Sequence, residues 1–172
     1  METQTLTGKP PEPVNFRAER VGRLVICNWV GPSNLASIEY GRSACKHLVD
    51  TSPLEGRMSC ITLVRAPQKV ATRKELDGFT AWSKELRQQF ARIYFVLEYD
   101  AEGVSGALLK MFIEATMYLV CGSGFSAYAR TAEEAIRQSC LELGLPANEM
   151  LEKAVALGLM NPIPLRRTEV AH

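Results

Sequence analysis

Two histidines, three aspartates and five cysteines are the groups in this chain of 172 residues from which hydrolytic, metal-assisted or thiol chemistry would have to be built. His172 is the last residue, which leaves His47 alone on an apparent helix. It reads as a partly exposed helix residue, because a general base needs a nucleophile within hydrogen-bond reach and no G-x-S-x-G turn occurs in the sequence. Paired histidines, closely spaced cysteine pairs and acidic loops are missing too, so the spacing supports no metal site. The glycine stretches GVSG at 103–106 and GSG at 122–124 fit neither the P-loop nor the dinucleotide fingerprint. They read as turns, with the start of a helix near Ser105 as the one place among them that would favour an anion.

Cys27, Cys45, Cys60, Cys121 and Cys140 are odd in number and each falls in an apolar stretch, the pattern of reduced core thiols in a cytoplasmic protein. One reactive thiol is the alternative. Among the carboxylates, Glu98 sits near the C-terminal end of an apolar strand, where open α/β sheets place their ligands. Arg65, at the end of the preceding strand, is its natural ion-pair partner. A concave pocket joining the two with another polar group would instead make Glu98 a working acid.

The elements that would position these groups follow from periodicity. VNFRA and RLVICNWVG, separated by polar residues around Glu19 to Gly22, predict an opening β-hairpin. Residues 32–50 switch to helical spacing behind Ser33 as a candidate N-cap. MSCITLVR at 58–65 is a second strand region, followed by the connector APQKVA. Thr72 with Glu75 has the form of a capping box, and Leu76, Phe79, Trp82, Leu86 and Phe90 continue as an apolar stripe. ARIYFVLEYD at 91–100 has too few polar residues to leave a face wet, which predicts a strand inside the sheet. An almost wholly apolar helix is expected over 105–119, then a short strand FSAYA. Thr131 and Glu134 form a second candidate capping box, opening a helix with Ala135, Ile136, Cys140, Leu141 and Leu143 inward that stops at Gly144 and Pro146. A last amphipathic helix covers about 147–157.

Strands alternating with single helices predict an α/β fold in one domain: a mainly parallel sheet of four to five strands with crossover helices, spanning 14–158. Residues 1–13 and 159–172, rich in proline and small polar residues, are expected to be flexible arms. At this length about 70% of the unfolded surface can be buried, so packing alone can close the core. A formal charge of +1 provides no overall field for nucleic acid. No window reaches the ~20 apolar residues that span a bilayer, since Glu114 interrupts the longest run, Met111 to Cys121.

This order, together with RLVICNWVG, the helix of residues 73–90, ARIYFVLE and FSAYARTAEEAIR, resembles STAS-like domains of the SpoIIAA-like, anti-sigma-factor-antagonist type over about residues 14–143. Bacterial members have a closing strand running into a helix that begins T-x-E-E-A, as Thr131 to Ala135 do here. The resemblance implies a non-enzymatic regulatory or scaffolding module that binds a protein partner through a strand-to-helix loop and the adjoining helix surface, with no cofactor. The matching loop here is 66–74, and Gln68, Lys69, Thr72, Arg73 and Lys74 are its candidate contacts. Met111, Phe112 and Tyr118 of the apolar helix are candidates for core, or for core and a partner or homodimer surface together. Phosphorylated members carry a serine, usually in an Asp-Ser pair, where this chain reads KVATRKE, so Thr72 is the only hydroxyl there. As the expected N-cap its oxygen is engaged, which argues against a phospho-switch. The alternative function is a carrier or sensor of a small apolar or anionic ligand, held under the 105–119 helix.

Overall fold

The computed structural model describes residues 13–98 and 124–161. Among them, β1 (Phe16–Val21), β2 (Leu24–Trp29), β3 (Met58–Val64), β4 (Phe90–Leu97) and β5 (Ser126–Tyr128) form one mixed sheet in the order of the chain. β1 pairs antiparallel with β2, and the other three pairings are parallel. Four helices accompany them: α1 (Leu35–Asp50), α2 (Arg73–Gln89), α3 (Ala132–Leu143) and α4 (Ala147–Ala156). The expected helix over 105–119, with Met111, Phe112 and Tyr118, lies outside the described residues, as does Cys121.

Alternation along the strands divides the core in two. Val25, Cys27 and Trp29 of β2, Cys60 and Val64 of β3, and Ile93 and Phe95 of β4 pack with Ile38 and Cys45 of α1 and Trp82 and Leu86 of α2. Their neighbours Leu24, Ile26, Ile61, Leu63, Tyr94 and Val96 pack on the opposite face with Ala135, Ile136 and Cys140 of α3 and Met150, Leu151 and Ala154 of α4. Every residue of β2 and β3 is therefore buried, as parallel strands covered on both faces require. On the α1–α2 face, Phe16 stands edge-on to Trp29 at 4.9 Å and to Trp82 at 5.5 Å between ring centroids, an aromatic group that joins β1, β2 and α2.

Local signals explain most boundaries. The hairpin turns on Gly22, whose φ of +62° suits glycine, so Glu19 to Val21 belong to β1 and not to the turn. The α2 capping box is present: the Thr72 hydroxyl accepts from the Glu75 amide and the Glu75 carboxylate accepts from the Thr72 amide. α3 has half of one. Thr131 accepts from the Glu134 amide, but the Glu134 carboxylate reaches the Arg130 amide, one residue further back.

Three expectations change. The α1 cap is Asn34, whose side-chain oxygen accepts from the Ser37 amide while its NH2 donates to the Pro13 carbonyl. Ser33 instead donates its amide to Gln68. Leu141 does not face inward and is 85% exposed. The buried stripe of α3 is Ala132, Ala135, Ile136, Ser139 and Cys140, and a residue one step beyond Cys140 turns by 100° off that stripe. Ser139 takes an inward place because its hydroxyl bonds Ser59 of β3 at 3.3 Å. Finally, packing continues into the segment expected to be a tail, with Leu159 fully buried and Met160 nearly so.

α1 and α2 approach closely because two glycines let them. A Cβ on Gly41 would lie 2.5 Å from the Trp82 ring, and one on Gly78 would lie 3.2 Å from the Ile38 side chain. Gly41→Ala must push Trp82 off the aromatic group, so it is expected to destabilise the protein by about 1–3 kcal/mol in urea unfolding, against the gain that Gly→Ala gives in an open helix.

Candidate functional site

The loops after β2 and β3 emerge at the same rim of the sheet, and Gln68 fastens them together. Its side-chain oxygen accepts from the Ser33 amide at 2.8 Å, and its NH2 donates to the carbonyls of Gly31 and Ala66 at 3.2 and 2.9 Å. Three bonds from one carboxamide hold both loops in a fixed shape without secondary structure. Asn15 adds a strap, donating its amide to the Ser37 hydroxyl and its side-chain NH2 to the Pro32 carbonyl.

The candidate contacts separate into two kinds. Gln68 and Thr72 are engaged within the fold, as clamp and N-cap. Lys69 pairs with Glu75 at 2.9 Å, its own side chain half-exposed and that of Glu75 buried. Arg73 and Lys74, in the first turn of α2, are exposed. Between them and the clamp Val70 is 65% exposed, and Val30, on the other fastened loop, is 59% exposed. The rim thus combines two outward valines with cations, and the apolar part escaped the sequence reading because a lone valine in a polar connector carries no periodic signal.

Glu75 is the electrostatic centre of this rim. Burial opposes its ionisation, but the Thr72 amide, the Lys69 ammonium and the Thr72 hydroxyl outweigh it and hold the carboxyl below its ordinary value of 4.5. Arg65 and Glu98 form the expected pair at 2.8 Å, each side chain about a quarter exposed. Arg65 also donates to the Leu159 carbonyl, so it ties the end of β3 to the segment after α4.

The cysteines that are distant in sequence meet in space. Cys27 Sγ lies 3.6 Å from Cys45 Sγ and 3.8 Å from Cys60 Sγ, all buried and free. Contacts with Cys45 and Cys60, then burial, push the Cys27 thiol well above its ordinary 9.0, and burial raises Cys140. At neutral pH the Cys27 and Cys140 thiols are protonated and poor nucleophiles. Beside them is a cavity of about 30 Å3, lined by Cys27, Cys60, Thr62 and Trp82 among others. Such a space holds about one water, too little for an apolar ligand. The Trp82 indole nitrogen and Asn28 Oδ1 are buried without a hydrogen-bond partner among the described residues. His47 is exposed in the last turn of α1. Among the described residues no three His, Cys, Asp or Glu side chains form a group that could hold a metal ion, and no helix is long and apolar enough to cross a membrane.

No protein-family profile matches this chain, and no curated protein does.

Because the folded carboxyl of Glu75 titrates below its unfolded value, its stabilisation is present above that value and is lost as pH falls through it. Urea midpoints measured from about pH 6 down to about pH 3 are expected to fall further for the wild-type protein than for Glu75→Gln, which starts lower and lacks this group. Parallel pH curves would contradict the assignment.

Proposed function

We propose that the chain is a STAS-like, non-enzymatic regulatory or scaffolding module of the bacterial cytoplasm that binds a protein partner at the rim formed by residues 30–33 and 66–74. The observation that carries this reading is the Gln68 clamp, which holds Val30 and Val70 outward beside Lys69, Arg73 and Lys74 on two loops fixed to each other. A surface already ordered before binding loses little conformational entropy on contact, so modest apolar area can yield specific affinity. Exposed cations around two valines match a partner segment with acidic groups flanking a small apolar one. The order of the strands, the parallel pairing from β2 to β5 and the Thr131-capped α3 agree with the STAS-like comparison.

Among the described residues Arg73 and Lys74 have no hydrogen-bond or ion-pair partner that charge reversal would break, so they separate binding from folding. A partner retained by the wild-type protein, identified by mass spectrometry and titrated in purified form, should bind R73E/K74E about tenfold or more weakly, and its wild-type binding should weaken as salt rises. Lys84→Glu, also exposed but further along α2, should leave binding unchanged. Equal affinity of R73E/K74E and wild type would overturn the rim assignment.

A further inference from the structure

We infer that the chain forms a symmetric dimer by antiparallel pairing of β1 with β1 of a second copy, about a two-fold axis at Ala18. β1 is one of the two edge strands, longer than β5, and pairs only with β2 among the described residues. The antiparallel ladder decides which of its groups are left over. The Val30 amide donates to the Asn15 carbonyl, so the carbonyl of Asn15 and the backbone groups of every second residue after it, Arg17, Glu19 and Val21, are directed toward β2. The turn at Gly22 and Arg23 closes on Val21 and Leu24 in the same phase. Phe16, Ala18 and Arg20 therefore direct their N–H and C=O groups outward, away from β2.

An antiparallel pairing centred on Ala18 brings those groups together. Ala18 exchanges two bonds with Ala18 of the second copy, and Phe16 exchanges two with Arg20 of the second copy, once on each side of the axis. Between these pairs Arg17 lies opposite Glu19 of the second copy, at the non-hydrogen-bonded positions where side chains stand closest. Edge strands are commonly protected by charges that repel another strand. Here the charges have opposite signs two residues apart, so a copy of this strand presents the complementary pattern to itself. Arg17 and Glu19 are 3.4 Å apart within β1 with side chains 53% and 41% exposed, which leaves both accessible to a second copy.

Apolar surface borders the same edge on both faces of the sheet. Tyr40 of α1, 49% exposed, has its ring 6.4 Å from that of Phe16. On the other face Leu157, 45% exposed, accepts a hydrogen bond from Arg17 through its carbonyl. Continuing the sheet across the axis would cover part of each. This surface shares no residue with the rim at 66–74, so neither proposal depends on the other.

Reciprocal charge reversal tests it on the full chain by sedimentation velocity over a concentration series. The wild-type protein should sediment as a reversible dimer, and R17E and E19R should each weaken association about tenfold or more, because each places two like-charged pairs across the axis. An equimolar mixture of R17E and E19R should associate again, since both cross-axis pairs are then opposite in sign, and thermal unfolding of each variant checks that it is folded. A wild-type protein that stays monomeric up to about 100 µM, folded single variants that dimerise like wild type, or a mixture no tighter than its components would each overturn the proposal.

Discussion

β2 and β3 have no face open to water, and the rest of the structure follows from that constraint. Two strands with every side chain buried need cover on both sides. α1 and α2 supply it on one face, and the chain returns after β5 to place α3 and α4 on the other. The first face is held by aromatic contacts and the close approach at Gly41, the second by small residues and by Ser59 with Ser139. With these faces occupied, the ends of the strands and the edges of the sheet are what the described residues leave uncovered.

Arginines connect the two layers through helix ends. Arg20 donates to the Leu48 carbonyl near the end of α1, Arg23 to Leu143 at the end of α3, and Arg17 and Arg65 to Leu157 and Leu159 just after α4. Carbonyls in the last turn of a helix, here those of Leu48 and Leu143, have no partner within it and carry the negative end of its dipole, so a guanidinium satisfies them twice over, as donor and as charge. In the loops after β2 and β3, the carbonyls of Gly31, Pro32 and Ala66 are met by neutral groups, Gln68 and Asn15, and Arg73 and Lys74 beside them are exposed.

How much of this was legible depended on whether the signal was local. The Thr72–Glu75 box and the stripe from Leu76 to Leu86 lie within one helix, and α2 forms where they place it, whereas Phe90, expected to continue the stripe, opens β4. Glu98 and Arg65 were pairable because adjacent parallel strands end together. Ser33 and Asn34 are both good caps by residue type, and the bond that the Ser33 amide donates to Gln68 leaves Asn34 as the α1 cap, one residue later than the sequence predicts. Leu141 reads as inward by residue type, but its helical phase points it outward. The three-thiol contact and the Gln68 clamp join residues 18 to 37 positions apart, and the Gly41 notch depends on where Trp82 lands. No pattern within a single element encodes such contacts.

The Gln68 clamp makes the rim one ordered unit in the free protein. Amide hydrogen exchange at Ser33, resolved by NMR, tests this most directly, since that amide lies in a loop and among the described residues its bond is to the Gln68 side chain. Slow exchange in the free protein, becoming fast in a folded Gln68→Ala variant while the β2 and β3 amides stay protected, is the predicted result. Fast exchange at Ser33 in the wild-type protein would mean that the two loops move separately, and the platform described here would not exist before binding.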